Sequence, residues 1–122
     1  MTTSPFASLL AIETVAVERG AAHVRVVVRE EHTNHFGFAH GGFIGGVADF
    51  ALELASNSYG DGVRAMALAT NTQYHRPAPI GALLEARARE THLGKTTATY
   101  HIELSIGEKL IASFTGTVYR KA

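Results

Sequence analysis

The stretch HTNHFGFAHGGFIGGVADFALELASNS, residues 32–58, changes its period partway along. Up to Ala39 it holds histidines, aromatics and Gly37 with no regular spacing, which reads as a loop. From Gly41 onward Phe43, Val47, Phe50 and Leu54 recur at three- and four-residue steps. Ile44, Ala48, Ala51 and Ala55 widen the stripe. This spacing predicts one long amphipathic helix from Gly41 to about Ser58, ended by the turn residues YGDG. Asp49 stands near its middle, where an acid is costly unless it is partnered, neutral or useful.

On either side the chain reads as strands. Residues 1–12 suit a short helix with Pro5 in its first turn. Residues 13–31 form two extended pieces around Gly20, the second rich in β-branched residues. AMALATNTQYHRP (65–77) is one run, closed by Pro77 and Pro79. In LLEARARETHLG (83–94), Ala86 and Ala88 alternate with Arg87 and Arg89. TTATYHIELSI (96–106) puts Ala98, Tyr100, Ile102 and Leu104 on one face. LIASFTGTVY (110–119) does the same with Leu110, Ala112, Phe114 and Val118, and IGEK links the two as a hairpin.

The expected fold is therefore α+β: an antiparallel sheet of five or six strands wrapped around one long helix. One helix cannot cover both sheet faces, so it lies on the concave one. The VRVVV strand and the late strands are expected to form an edge open to a second copy, making a dimer the natural way to complete the core.

Composition narrows the function. With 122 residues, a single domain spanning 1–122 is expected. Hydrophobic residues at 46% against 18% charged exclude a disordered chain. Eleven basic residues balance eleven acidic ones, which argues against a nucleic-acid groove or a polybasic membrane patch. There is no cysteine, so disulfides, a thiol nucleophile and thiolate metal sites are excluded. That fits a reducing, cytoplasmic setting. The N-terminal MTTSPFASLLAIE lacks Lys and Arg and makes a poor signal peptide, and no run is long enough for a membrane span.

The chemistry centres on the helix start. Gly41 and Gly42 leave first-turn N–H groups approachable, and such groups suit developing negative charge on a carbonyl oxygen. The same pair also suits a helix merely starting under a close-packed strand. Asp49 lies eight residues on, about 12 Å along the axis, and a reacting carbonyl needs both groups within about 3 Å. One helix cannot bring both to one substrate, whereas two copies facing antiparallel across a two-fold axis can. Asp49 equally fits an acid satisfied by a neighbouring strand, or, with Glu53 one turn on, a solvated pair at the stripe's border.

Asn34, His40, Gly41, Gly42, Ala48 and Asp49, followed by Ala51, Ala55, Ser56, Asn57 and Ser58, resemble the signature of hotdog-fold acyl-CoA thioesterases. The nearest likeness is to the phenylacetate-degradation (PaaI-type) branch. YHRP (74–77) resembles that branch's F-x-R-P strand end and FTGTVYR (114–120) its last strand, and the likeness spans about residues 6–120. The resemblance implies Asp49 as the carboxylate acting as nucleophile or as base for water. It implies Gly41 as the N–H donor to the thioester carbonyl, Asn34 as an aid in holding water or carbonyl, and His40 as a loop-shaping residue near the thioester. It implies an acyl-CoA substrate bound at a subunit interface, a homo-oligomer arranged as a dimer of dimers, and no metal or organic cofactor.

Around that centre, Gly42, Phe36, Tyr74 and Arg76 are candidate substrate-binding residues. Phe36, with Phe38, suits an acyl pocket or a dimer seam. Tyr74, where the branch more usually has Phe, adds a hydroxyl. Arg76, with Arg87, Arg89 and Lys95, suits coenzyme A phosphates or a solvated strand face. Thr70 and Asn71 belong to a strand expected to pass beneath the helix. Glu53 is a backup acid, displaced from Asp49 by about 6 Å. His32, His35 and His40 match no familiar zinc spacing. A dehydratase reading lacks its Pro-containing motif, since HFGF stands there instead. A non-catalytic acyl-CoA-binding module is the alternative, opposed by the presence of both Asp49 and Gly41.

Overall fold

The computed structural model describes residues 3–122. A short helix α1 (Pro5–Leu9) precedes strands β1 (Glu13–Glu18) and β2 (Ala21–Val27). A single 3₁₀ turn (Glu30–His32) leads through a loop to α2 (Gly41–Ser56). Strands β3 (Arg64–Tyr74), β4 (Leu83–Leu93), β5 (Thr97–Ile106) and β6 (Lys109–Lys121) complete the chain. All six strands form one antiparallel sheet in the order β1-β2-β4-β5-β6-β3, with α2 packed on one face. This is the sheet-and-helix arrangement expected from the pattern, and the hotdog fold that the resemblance implies.

Period-two patterning turns a continuous apolar face toward α2. Ala22, Val24 and Val26 of β2, Leu84, Ala86 and Ala88 of β4, and Ala98, Tyr100, Ile102 and Leu104 of β5 are all buried. From the helix Phe43, Ile44, Val47, Ala48, Phe50, Ala51, Leu52, Leu54 and Ala55 meet them. Many of these are alanines, which lets the helix sit close to the sheet. One close approach is at Gly116 on β6, where an added Cβ would come within 2.7 Å of Leu52 Cδ2. Burying each large apolar side chain such as Leu52 stabilises the fold by about 1.5–3 kcal/mol.

Some expectations are corrected. The open edges are β1 and β3, not β2 with the late strands. β1 hairpins onto the outer side of β2, and β3 crosses over to lie beyond β6, leaving β5 and β6 interior. On β6 the inward residue near the start is Ile111, 2% exposed, while Leu110 is only half-buried. A register shift between Leu104 and Ser105 opposite this segment accounts for the change of face. Thr70 and Asn71 lie exposed on the edge strand β3, not under the helix. The N-terminal helix is shorter than expected, starting behind a Ser4 cap that receives the Ala7 N–H. The first two positions of the expected helix lie outside the described residues.

The end of α2 is fastened by the SNS triplet. Asn57 donates from Nδ2 to the Glu53 carbonyl at 2.9 Å and to the Ala65 carbonyl at 3.2 Å. Its Oδ1 accepts the Ala65 N–H at 2.9 Å, so a side chain copies a strand partner at the start of β3. Ser58 Oγ accepts the Gly20 N–H and donates to the Ala55 carbonyl. Beyond it the Tyr59 hydroxyl donates to Glu90, which also accepts from Tyr100. These bonds fix α2 lengthwise against β3 and the β1–β2 turn, and so fix where its start and middle lie.

Candidate active site

The loop before α2 is built by Asn34. Its Oδ1 accepts the N–H groups of Phe36 (2.9 Å) and Phe38 (3.3 Å), and Gly37 closes the turn at φ 86°, where glycine is favoured. The loop is pinned by Ala39 N–H to the Ala78 carbonyl and by His40 N–H to the His32 carbonyl, each at 2.8 Å. With Oδ1 committed to the turn, Asn34 offers the neighbouring cleft only its Nδ2–H donors. It can hold a carbonyl or a water oxygen, but it has no acceptor left to draw a proton.

His40 is the N-cap of α2, in extended geometry (φ −66°, ψ 141°), and its Nδ1 accepts the Gly42 N–H at 2.8 Å. Phe43 and Ile44 both donate to the His40 carbonyl at 3.0 Å. Of the four first-turn N–H groups only that of Gly41 has no acceptor among the described residues. The helix dipole favours negative charge at this open donor. Tyr74 approaches from β3 and donates its hydroxyl to the Gly41 carbonyl at 3.1 Å, holding the peptide on its other side.

Asn34, Phe36, Phe38, Gly41, Ile44, Tyr74, His75 and Arg76 line one cleft of about 570 Å³. Its wall is largely apolar, with Phe36 74% exposed. Arg76 donates to the Leu110 carbonyl at 2.7 Å, which anchors the guanidinium at the rim and leaves further donors free. Of the sequence-derived candidates, Asn34, Phe36, Gly41, Tyr74 and Arg76 are thus gathered in one place, with His40 and Gly42 flanking it in the helix cap.

Asp49 is elsewhere. It opens into a second cleft of about 540 Å³, lined also by Pro5, Phe6, Leu52, Glu53, Met66 and Ala67. Neither Asp49 nor Glu53 has a side-chain hydrogen bond or ion pair among the described residues. The reading of Asp49 as an acid satisfied by a neighbouring strand therefore has no partner to support it. Desolvation by the surrounding groups pushes the Asp49 carboxyl up from its ordinary value. Glu53 is pushed up by burial and then by the Asp49 charge one turn away. Such unpartnered, perturbed carboxyls in a cleft have the character of a base.

Sequence reasoning missed Phe6 and Met66, which wall the Asp49 cleft, and His75, which joins the other. Phe6 and Met66 are exposed apolar residues on α1 and β3, elements that are themselves largely exposed, so neither stands out until β3 is known to be an edge. His75 sits inside the YHRP motif, yet its ring bonds Ser113 Oγ at 3.0 Å and no sequence rule assigns it a cleft. The three loop histidines are dispersed in role: His32 is buried, His35 lies tilted against Phe36, and His40 caps the helix. Among the described residues no group of three His, Cys, Asp or Glu side chains is placed to hold a metal. No helix among them is long and apolar enough to cross a membrane.

Residues 36–112 match the Thioesterase superfamily, and the chain belongs to it. It is a thioester hydrolase by class. Over 115 residues it is 34% identical to acyl-coenzyme A thioesterase PaaI of Escherichia coli K12, covering 93% of this chain and 81% of the relative. It is 31% identical over 97 residues to 1,4-dihydroxy-2-naphthoyl-CoA hydrolase of Listeria monocytogenes, covering 79% and 78%. A variant of phenylacetic acid degradation protein PaaI from Thermus thermophilus superposes with a TM-score of 0.91 at 43% identity, covering 95% of this chain and 98% of the other.

Proposed function

We propose that the protein hydrolyses an aryl (phenylacetyl-type) or medium-chain acyl-CoA to the free acid and coenzyme A, at a site shared between two copies of the chain. The observation that carries this is the Gly41 N–H, unpaired among the described residues, in an apolar cleft whose described lining includes no carboxylate. The thioester carbonyl oxygen takes that N–H, joined by Asn34 Nδ2–H, and the acyl group lies along Phe36 and Tyr74. Gly42 leaves room at the helix start, and Arg76 at the rim meets coenzyme A. The names of two relatives, which act on coenzyme A thioesters, support the substrate class.

Asp49 of the partner subunit supplies the carboxylate. As base it takes a proton from water, whose oxygen attacks the carbonyl carbon. The oxyanion rests on Gly41 N–H, the C–S bond breaks, and the leaving thiolate takes the proton. As nucleophile it forms an acyl anhydride with loss of thiolate, and water then cleaves the anhydride. The edge strand β3 is the joining element: it is 11 residues long, unpaired on one side, with Met66 and Leu68 each 61% exposed. Pairing two such edges antiparallel extends the sheet and sets the two α2 helices antiparallel, and a dimer of dimers follows from a second contact.

A panel of aryl and aliphatic acyl-CoAs assayed for thiol release tests the reading. Aryl-CoA turnover that disappears in Asp49→Ala is the expected result. No thiol above background with any member of the panel would remove it.

A further inference from the structure

His32 is the only histidine among the described residues that is fully enclosed, 4% exposed. Its ring lies flat on Phe43 of α2, with centroids 4.0 Å apart and planes 8° apart. Its Nδ1 accepts the Arg29 N–H at 3.0 Å. An acceptor role at Nδ1 requires the neutral ring to carry its proton on Nε2. Its carbonyl accepts the His40 N–H at 2.8 Å, and His40 then takes the N–H groups of Gly42, Phe43 and Ile44. The ring thus ties the 29–32 turn to Phe43 of α2 while the main chain of the same residue ties His40, and together with the Ala39–Ala78 bond these hold the cap in which Gly41 is left unpaired among the described residues. Neither its ring nor its hydrogen bonds enter the reaction described above.

We propose that His32 is a positioning residue for thioester hydrolysis: as the neutral, Nε2-protonated ring it fixes the His40 cap and thereby the aim of the open Gly41 N–H. This rests on the assignment of Gly41 to the thioester carbonyl. Protonating His32 places an N–H at Nδ1, facing the Arg29 N–H, so two donors confront each other and the bond is lost. Burial holds the imidazole below its ordinary value; the nearby Leu10 carbonyl and the Glu31 charge oppose this, and the Arg29 charge adds to it. Arg29 and Glu31 come from the same turn, while Phe43 and the Leu10 backbone bring no formal charge. The folded-state value is lowered, so the arrangement is fully present above the ordinary histidine range and is lost as pH falls through the lowered one.

The test reads the ligand-free protein by NMR, independently of turnover. Nitrogen-15 correlations of the His32 ring report its tautomer, and the His40 and Gly41 amides report the cap as pH is lowered. The expected result is the Nε2-protonated tautomer, with both amides shifting along the His32 titration. Two variants separate the interactions. His32→Phe keeps a flat ring on Phe43 and removes the acceptor. His32→Gln restores an acceptor at the third position of the turn, where glutamine customarily serves, and does not titrate.

His32→Phe should lower kcat roughly tenfold with KM within about twofold, and His32→Gln should recover kcat to within about threefold at neutral pH. In both variants the amide shifts linked to His32 should vanish. Amides of His40 and Gly41 that ignore the His32 titration would overturn the proposal, as would full kcat in folded His32→Phe. If no acyl-CoA is turned over at all, the reading of the site fails, while the tautomer and the amide shifts still decide the role of His32 in the cap.

Discussion

Gly41 and Asp49 share one helix and open into separate clefts, so neither cleft of a single chain holds both the open donor and the free carboxylate. About 12 Å of helix axis separates them. The packing of α2 against the sheet is tight enough that this distance cannot close by bending, since Leu52 already touches Gly116 and the SNS triplet anchors the far end. The separation is a property of the rigid core.

Replacing Asp49 by Asn keeps the shape and removes the charge. A loss of about 10²–10⁴-fold in kcat is expected, with KM little changed. The wild-type carboxyl is held above its ordinary value by desolvation, and the working form is the anion. Activity should therefore fall as pH drops through that raised value. Stability runs the other way: a carboxyl raised in the folded state costs stability as pH climbs from the unfolded value through the folded one. Denaturation at neutral pH should show Asp49→Asn to be at least as stable as wild type. A clear drop in stability with retained turnover would mean a structural acid.

Gly41→Pro removes one N–H and little else. Proline is well suited to the first helical position, and His40 already has the extended geometry that a residue before proline prefers. The added ring meets the Tyr74 hydroxyl, 3.3 Å from an ideal Cβ, and that side chain has room to move because it is exposed. The fold should survive by circular dichroism, while kcat falls by about 10²–10³, the usual cost of one lost oxyanion donor.

Tyr74→Phe deletes only the hydroxyl that donates to the Gly41 carbonyl. At about 1 kcal/mol for such a bond, kcat should drop roughly fivefold, with KM for the acyl group within about twofold. An unchanged kcat would mean that the hydroxyl plays no part in holding Gly41 and that Tyr74 serves the acyl group through its ring alone.

The sequence carried the element order well because each segment has a strong period: two in the sheet and about 3.6 in residues 41–56. It did not carry strand order. β2 and β3 both read as β-rich runs, and only the crossover that sends β3 beyond β6 makes one interior and the other an edge. The inward face at the start of β6 is hidden from the pattern for a related reason, since a one-residue register shift turns Ile111 in place of Leu110 toward the core and leaves no mark in composition. At the site, Gly41 and Asp49 were legible because a helix converts spacing directly into distance. The commitment of Asn34 Oδ1 to the turn was not, because it depends on where the Phe36 and Phe38 amides point.

Gly116→Ala tests the closeness of helix and sheet. The new methyl would meet Leu52 Cδ2 at 2.7 Å, so Leu52 must leave its rotamer or the helix must shift. A destabilisation of about 1–3 kcal/mol is expected in urea unfolding. Adding Leu52→Val should restore part of it, since the two changes act on one contact and are non-additive.

The shared site makes the strongest demand. Chains carrying Asp49→Asn and chains carrying Gly41→Pro should each be nearly inactive alone. Mixed and allowed to exchange subunits, half of the two-fold dimers become hybrids, and each hybrid has one whole site beside one doubly impaired site. Recovery to about one quarter of wild-type activity is expected at an equal ratio. Leu68→Lys in both chains places a charge on the exposed β3 edge and should prevent both the pairing and the recovery, with a matching drop in mass by light scattering. If differently tagged chains copurify as hybrids and still show no recovery, Gly41 and Asp49 do not meet across the interface, and the two-chain site is wrong.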